Sequence, residues 1–335
     1  MNWKYFIGID VSKLSLDICV LAGKEKVKIA SIENDPKALH AFWKEMCSSH
    51  KDFSTSEILC CLEHTGIYNE HLLSFLSARK VDICLENPTH IKLSGGLLRG
   101  KNDQVDAWRI AMYANREKES LRLWEAPRSV ISTLKHLSAL RNRLINAKKM
   151  LSVPGNETKG FDRQAAKLMI SLTKNTTKQI DKDLKAVEGQ MQDIIQKDST
   201  LKRLFTITTS VGGVGPVTAI AIIITTNEFK NINQAQKYAC YAGVAPFEHS
   251  SGTSVRGKTR ISHKANKTVK TLLHMAALTA IRYNTDMKNY YDRKVNEGKN
   301  KMLVINAVRN KLVHRIFACV NQNRHYEKNY HNTLV

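Results

Sequence analysis

The sequence predicts a mixed α/β domain followed by a mainly helical remainder. Apolar runs of strand length dominate the first 126 residues, and longer runs with helical spacing follow them. The charge changes at the same place. Residues 1–126 contain 17 basic and 17 acidic side chains, whereas residues 127–335 contain 35 basic and 13 acidic ones. The whole formal net charge of +22 therefore lies in the second part, which predicts a neutral domain joined to a region that binds a polyanion such as nucleic acid.

The first part is predicted to form one sheet flanked by helices. It begins with three strands at residues 4–10, 16–22 and 26–32, whose short connections predict an antiparallel meander. Helices and strands then alternate, with a helix at 36–46, a strand at 57–62, a helix from 65, a strand at 81–87 and a helix at 103–116. The order βββαβαβα is that of the ribonuclease H fold. In that fold the first and fourth strands lie side by side and face the last helix.

Four acidic residues stand in distinctive settings: Asp10, Glu63, Asp103 and Asp106. Asp10 and Glu63 each follow an apolar strand, where burying a carboxylate is costly unless a partner compensates its charge. Asp103 and Asp106 are three residues apart and share a helix face, where a cation between them relieves their repulsion. Converging carboxylates are typical of a Mg²⁺ site, with Mn²⁺ as a second candidate. The pattern predicts phosphodiester chemistry on nucleic acid with two metal ions.

Residues 127–200 are predicted to form a helical arm. A basic stretch over 128–150 has apolar residues at helical spacing, and a second polar helix is predicted over 163–197. Pro154 and Gly155 predict a break between the two helices. Two long polar helices around a break suggest an antiparallel coiled coil, and a plain helical linker fits the pattern equally well.

Residues 201–335 are predicted to form a third, mostly helical domain. Its Gly-rich segment at 211–215 leads into an apolar helix and is similar to a helix-hairpin-helix element, whose backbone N–H groups can hold a phosphate. A tight structural turn is the simpler interpretation of that segment. A polar loop over 247–267 follows, and helices predicted at 266–282, 286–296 and 301–321 complete the domain.

The polar loop brings hydroxyl and basic residues close together in sequence. Ser250 and Ser251 are followed by four basic residues, Arg256, Lys258, Arg260 and Lys264. Such a loop can simply bind phosphate. A serine within it can also attack phosphorus, with arginines stabilising the charge that builds on the phosphate oxygens. The residues alone favour plain binding, and they do not decide between the two adjacent serines.

The composition argues against several other classes of protein. Seven cysteines form no CxxC pair, so no zinc site is expected, and the longest apolar run, at 219–224, is too short to cross a membrane. The N-terminus shows no signal peptide, so we expect a cytoplasmic bacterial protein associated with the nucleoid. A sugar kinase of the actin-like fold needs further glycine motifs that the sequence lacks. A non-catalytic binding protein needs local ion pairs for all four acids.

Several motifs in order resemble one known family, the DEDD transposases of the IS110 insertion-sequence type, to which the pilin-gene invertases also belong. The motifs are IGIDVSK, LEHTGIY, KNDQVDA, WEAP, SVGGVGPVTA, YAGVAPFEHSSGTSVRG and AVRNKLV. They run over nearly the whole chain. The joint occurrence of the N-terminal acids and the C-terminal SGTSVRG is specific to that family.

The resemblance implies a RuvC-like catalytic domain at 1–126, a coiled-coil arm at 127–200 and a transposase domain at 201–335. It places the family's four acids on Asp10, Glu63, Asp103 and Asp106, and its catalytic serine on Ser251. It also implies donor and target DNA as substrates, a noncoding bridge RNA as guide, and a homo-oligomer, either a dimer or a tetramer. The basic arm and C-terminal surface are compatible with such an RNA.

The mechanism that follows from the resemblance is a hypothesis with two rivals. Metal ions held by the acids would assist attack by Ser251, and a covalent phosphoserine would allow strands to be rejoined without ATP. Arg256, Lys258 and Arg260 would bind the phosphate backbone, and Lys101 would lie near the metal site. One rival is a RuvC-type nuclease or resolvase without a serine intermediate. The other is a DNA invertase of the same family.

Overall fold

The computed structural model of the protein describes residues 3–95, 102–251, 255–261 and 265–327. The chain forms two compact units, Met1–Ala126 and Pro127–Val335. Each unit has its own buried core. The prediction that 127–200 and 201–335 are separate domains stays a prediction.

The first unit is a five-stranded mixed sheet with helices on both faces. Its elements are β1 Tyr5–Val11, β2 Ser15–Ala22, β3 Glu25–Glu33, α1 Pro36–Ser49, β4 Ile58–Glu63, α2 Glu70–Ala78, β5 Asp82–Glu86, α3 Pro88–Ser94 and α4 Asp103–Arg116. The strand order is β3-β2-β1-β4-β5. β1, β2 and β3 pair antiparallel, whereas β4 pairs parallel with both β1 and β5. This is the arrangement of the ribonuclease H fold, and it places β1 beside β4 as the element order predicts.

The two faces of this sheet bury different sets of residues because successive side chains of a strand point to opposite sides. On β1, Ile7 and Ile9 pack into the core that contains α1 and α2. Phe6 points to the other face and packs into the core that contains α4. The central strands are therefore apolar on both faces, which explains their unbroken apolar runs.

The third helix of this unit was not predicted. Pro88 does end the strand before it, but the same residue occupies the first turn of α3, and the side chain of Asn87 accepts a hydrogen bond from the Thr89 N–H. Proline is favoured at that position because its missing N–H would have no helical partner there. The helix predicted from Thr65 begins instead with a 3₁₀ turn at Gly66–Asn69, and α2 follows it.

The second unit begins with two long helices, α5 Ser129–Thr158 and α6 Arg163–Lys197, which pack against each other. The predicted break at Pro154 and Gly155 is wrong, since α5 continues through both residues. Gly155 is buried, and a Cβ atom there would lie 2.9 Å from Cγ1 of Ile170 on α6. The close approach of α6 supports the helix where proline removes a backbone hydrogen bond.

Ion pairs also join these two helices. Arg141 binds Glu188 at 2.7 Å, and Lys148 binds Asp181 at 2.5 Å. The base of the pair is in the core of the unit, to which Ile131 and Leu134 of α5 contribute. Its far end exposes apolar side chains, among them Phe161, which is 95% exposed. The assignment of the pair as a coiled-coil arm stays a prediction.

The remaining described residues of the unit form helices and one pair of antiparallel strands. Its elements are α7 Ser199–Ser210, α8 Pro216–Thr225, α9 Ala235–Tyr241, β6 Pro246–Ser251, β7 Val255–Ile261, α10 Lys267–Tyr283, α11 Thr285–Asn296 and α12 Lys301–Asn321. The last helix is central, and ten of its residues are buried. The segment between α7 and α8 is a tight turn, in which Gly213 has φ +98° and lies against the Ala276 carbonyl of α10. Its DNA-binding role stays a prediction.

The polar loop predicted over 247–267 is corrected by the structure, because most of it forms the antiparallel strands β6 and β7. Charged and hydroxyl residues occupy both strands, so the alternation of apolar and polar residues that marks a half-buried strand is weak. Ser250 pairs with Arg256 and Ser251 with Val255, so the two serines lie in the last residue pairs of this antiparallel ladder.

An ion-pair cluster joins three elements of the second unit. Arg128, just before α5, donates two hydrogen bonds to Asp198, at 2.7 and 3.0 Å, and two more to Glu228. The Glu228 side chain is 1% exposed. The backbone of Glu228 has φ +59°, and its neighbours Asn227 and Phe229 also have left-handed backbone conformations. A buried carboxylate in a strained turn requires its cation. Arg128 therefore holds the end of α8 and the start of α7 against α5.

We expect Arg128→Ala to destabilise the chain by about 2–3 kcal/mol, below the range for a fully buried pair because Arg128 is 38% exposed. Hydrogen bonds from Arg128 hold the pKa of Asp198 at about 2. The stabilising effect is therefore complete above pH 3.8 and is lost as the pH falls through 2. Urea unfolding of both proteins at several pH values measures it, with Lys135→Ala as an exposed control on α5. Equal stability of Arg128→Ala and wild type at neutral pH contradicts the role assigned to the cluster.

Candidate functional site

The structure brings three of the four predicted acids together. Asp10 is the second-last residue of β1, and Asp103 and Asp106 lie in the first turn of α4. One carboxylate oxygen from each of the three lies within 4.8 Å of the others. Glu63 ends β4, whose Leu62 pairs with Ile9 of β1, so Glu63 and Asp10 lie at the same level of two neighbouring strands.

Gly8 allows α4 to approach the sheet closely enough to form this cluster. A Cβ atom at Gly8 would lie 2.2 Å from both the Ala107 carbonyl oxygen and the Ala111 amide nitrogen of α4. Both distances are far below van der Waals contact, so no other residue fits without moving the helix. Because Gly8 is two residues before Asp10, the contact lies next to the acids and sets their separation.

The local sequence of α4 presents its acids at the helix start. The side chain of Asn102 accepts a hydrogen bond from the Gln104 N–H at 3.1 Å and so caps the helix. Asp103 and Asp106 then lie in the first turn, where the helix dipole favours negative charge. Asp106 also accepts a hydrogen bond from Arg109 at 2.7 Å, which fixes one of its oxygens.

Burial and mutual repulsion disfavour ionisation of the acids at the strand ends. Burial raises the pKa of Asp10, and the charges of Asp103, Asp106 and Asp17 raise it further. Burial also raises the pKa of Glu63, and Asp10 and Asp106 add to the shift, while Lys92 opposes it. Asp10 thus repels Asp103, Asp106 and Glu63, so the charges of all four predicted acids are coupled. Fully ionised, this group of carboxylates is unfavourable unless a cation binds among them.

The donor set fits a hard divalent cation. It consists of carboxylate oxygens alone, which are the ligands that Mg²⁺ and Mn²⁺ prefer, and three of them already converge. Asp10, Asp103 and Asp106 would hold the ion, and Glu63 lies near enough to influence it.

Sequence analysis missed a further acid that faces this group. Asp17 lies on β2 directly opposite Asp10 and is 92% buried, since its exposed fraction is 8%. The sequence signal for such a residue is an aspartate within an apolar strand, here SLDICVLA, where a carboxylate is costly to bury. Glu86 on β5 also faces α4, but it is bound by Tyr113 and His90.

The predicted serine site is described only in its backbone. Ser251 ends β6, while Arg256, Lys258 and Arg260 lie at alternate positions of β7. The side chains of all four are outside the described part of the structure. Lys101 and Lys264 lie outside the described residues altogether. The roles of Ser251 and of these five basic residues therefore stay predictions.

Within the residues that the structure describes, no helix combines the length and the apolar character that crossing a membrane requires.

Comparison with known protein families shows what the chain resembles. Residues 7–152 match a family model for DEDD transposases of the IS110 type, and residues 206–292 match a model described as the transposase IS116/IS110/IS902 family. The two matches together cover more than two thirds of the chain. The chain therefore belongs to the IS110 family of DEDD transposases, enzymes that recombine DNA. The family resemblance read from the sequence motifs is confirmed.

Individual relatives agree with this assignment. The chain is 25% identical to the pilin gene-inverting protein of Moraxella bovis over 98% of its own length and 99% of the relative. It is 27% identical to a 43.6 kDa protein of insertion element IS110 from Streptomyces coelicolor, over 52% of this chain and 40% of that protein. T. thermophilus RuvC, solved in complex with a Holliday junction substrate, matches 36% of this chain and 99% of its own at 16% identity. Its TM-score of 0.26 is too low to establish a common fold.

We expect Gly8→Ala to destabilise the protein by about 3 kcal/mol, because the added methyl group overlaps the backbone of α4. The displaced helix should also abolish any rise of the melting temperature that Mg²⁺ produces in the wild type. Gly189→Ala is the matched control, since a Cβ atom there meets nothing within 4 Å. Thermal unfolding with and without MgCl₂ measures both effects. A Gly8→Ala protein as stable as Gly189→Ala would show that α4 does not require the glycine.

We expect Asp10→Asn to raise the melting temperature of the metal-free protein and to remove its stabilisation by Mg²⁺. Folding raises the pKa values of Asp10 and Glu63, so the metal-free wild type loses stability as the pH rises above the ordinary values of 3.8 and 4.5. The variant should lose less over the same range because one repelling charge is absent. Calorimetric scans from pH 4 to 8 test this, and identical pH dependence in both proteins argues against a coupled acid cluster.

Proposed function

We propose that this chain is a DNA transposase that cuts and rejoins DNA through a metal-dependent acidic site and a serine nucleophile. The observation that carries the proposal is the convergence of Asp10, Asp103 and Asp106 in a chain that matches both family models. Carboxylates gathered at the ends of two strands and the start of one helix are what metal-assisted phosphodiester chemistry requires.

In this proposal the four acids hold Mg²⁺, and Mn²⁺ is a substitute with the same preference for oxygen ligands. An ion held there would supply Lewis-acid stabilisation of the negative charge that develops during attack on the scissile phosphate. The protein contributes the placement of the ligands. Gly8 fixes the distance between β1 and α4, and Arg109 orients one oxygen of Asp106.

Ser251 is proposed as the nucleophile. Its hydroxyl oxygen forms a bond to phosphorus while the bond to the leaving sugar oxygen breaks, and the serine proton is transferred through solvent to that sugar oxygen, which leaves as a free hydroxyl. The resulting phosphoserine conserves the energy of the phosphodiester bond, so a second strand can be joined without ATP. Support comes from the family motif SSGTSVRG and from the position of Ser251 at the end of β6, where it pairs with Val255 of β7.

Basic residues are proposed to bind the DNA backbone. Arg256, Lys258 and Arg260 follow Ser251 along the hairpin, while Lys264 lies just beyond it and Lys101 just before α4. Guanidinium and ammonium groups bind phosphate without reading the base sequence, and they position the duplex at the site. Removing one of them should weaken binding to all DNA sequences alike and lower its salt dependence.

The proposed partners are donor DNA, target DNA and a noncoding guide RNA that pairs with both. The net charge of +22, all of it in residues 127–335, supports binding of nucleic acid and is compatible with a guide RNA. The protein is proposed to act as a dimer or tetramer, as a cytoplasmic enzyme at the bacterial nucleoid. Its proposed division is catalytic domain 1–126, coiled-coil arm 127–200 and transposase domain 201–335.

DNA inversion is the second candidate function. The relatives from Moraxella bovis and Moraxella lacunata, both named pilin gene-inverting proteins, match almost the full length of this chain. Inversion and transposition use the same cutting and joining chemistry, and they differ in how the recombining sites are arranged. A plasmid with two inverted sites and one with a single donor site distinguish the two outcomes.

A covalent-adduct assay tests the serine mechanism. Purified protein, MgCl₂, RNA transcribed from the flank of the element and DNA that carries the joined element ends are incubated, denatured and separated on a gel. We expect a protein–DNA adduct with wild type and with Ser250→Ala, and none with Ser251→Ala or Asp10→Asn. Ser250→Ala is the matched control because it removes the neighbouring hydroxyl alone.

Two other results would overturn the proposal. Nicked DNA without an adduct, unchanged by Ser251→Ala, indicates a nuclease of the RuvC type. An adduct that persists in Asp10→Asn and without Mg²⁺ shows that the acids are not part of the reaction.

A further inference from the structure

Asp17 lies beside the four acids but belongs to a strand that the family motifs do not include. β1 and β2 pair antiparallel, and Asp10 is directly opposite Asp17 in their register. Residues directly opposite each other on such a pair have Cβ atoms about 5 Å apart and point to the same face of the sheet. The position of Asp17 is therefore fixed by the same backbone pairing that fixes Asp10.

The packing of β2 shows which face Asp17 occupies. Cys19 and Leu21, which follow it in the alternation of the strand, pack into the core that contains Ala107 and Ala111 of α4. Ile18 and Val20 pack into the opposite core. Asp17 thus continues the row that faces α4, at the end of the sheet where that helix begins.

Nothing in the described residues compensates the charge of this side chain. Asp17 is 92% buried, yet no hydrogen-bond donor or cation among the described residues contacts its carboxylate. Glu86 on the same face differs, because it accepts hydrogen bonds from Tyr113 at 3.2 Å and from the Asn87 N–H at 2.7 Å. A buried carboxylate without a partner is rare in proteins because its desolvation is so costly.

We propose that Asp17 is a fifth carboxylate of the divalent-cation site and adds its negative charge from the β2 side. This inference rests on the proposed function, since it assumes that the acids bind a cation. Asp17 is not one of the three residues whose oxygens converge within 4.8 Å. It therefore strengthens cation binding through its negative charge next to Asp10 and is not one of the three converging ligands.

The test measures the affinity for Mg²⁺ alone, without nucleic acid and without activity. The melting temperature of the full chain is followed as MgCl₂ is added to wild type, Asp17→Asn, Asp17→Glu and Glu25→Gln. Glu25→Gln is the matched control, because this substitution removes one exposed charge at the opposite end of the same sheet. Circular dichroism before the titration verifies that each variant is folded.

We expect Asp17→Asn to weaken the apparent Mg²⁺ affinity about tenfold, the effect of one charge on a divalent ion several ångströms away. Asp17→Glu should recover most of the affinity, and Glu25→Gln should leave it unchanged because that charge is distant and exposed to solvent. Without Mg²⁺, Asp17→Asn should melt at or above the wild-type temperature, since one carboxylate that repels Asp10 is removed.

An unchanged Mg²⁺ affinity in Asp17→Asn, with a raised metal-free melting temperature, would overturn the inference and leave Asp17 as a purely structural residue. Failure of the proposed function gives a different result. In that case the wild type itself shows no stabilisation by Mg²⁺ that Asp10→Asn removes.

Discussion

The contact between Gly8 and the backbone of α4 is the constraint on which the candidate site depends. A Cβ atom at residue 8 would lie only 2.2 Å from backbone atoms of α4, so β1 and α4 are packed as closely as a glycine allows. The acids of α4 can therefore face Asp10 only while residue 8 is a glycine. An uncharged residue two positions before Asp10 thus decides whether the carboxylates form a cluster or remain separate surface acids.

That geometry gathers negative charge at a cost in free energy. One row of carboxylates, Asp17, Asp10, Glu63 and Glu86, crosses four adjacent strands on the face covered by α4. The carboxylate of Glu86, the last in this row, is hydrogen-bonded to Tyr113 and His90. Burial and repulsion raise the pKa values of the two in the middle. A divalent cation bound among these carboxylates would relieve the repulsion, so stability and affinity for metal would be coupled.

Much of the first unit could be predicted from the sequence, because strands with strong apolar runs and acids at their ends carry clear signals. These signals single out Asp10 and Glu63, and the three-residue spacing singles out Asp103 and Asp106; the structure brings Asp10, Asp103 and Asp106 together. Asp17 was missed because its partner lies on another strand, and pairing register cannot be read from one segment. The helix break predicted at Pro154 and Gly155 is wrong for a similar reason. Their local preference is to end a helix, but the contact of Gly155 with Ile170 on α6 overrides it.

The long helix pair of the second unit also sets a length scale. Ile131 and Leu134 anchor the start of α5 in the core, and Leu137 packs against it. About twenty residues of α5 extend beyond that point, which at 1.5 Å per residue is a length of about 30 Å. This distance is close to one turn of double-helical DNA. Deleting one heptad from each helix shortens this length by about 10 Å, or roughly three base pairs of such a duplex.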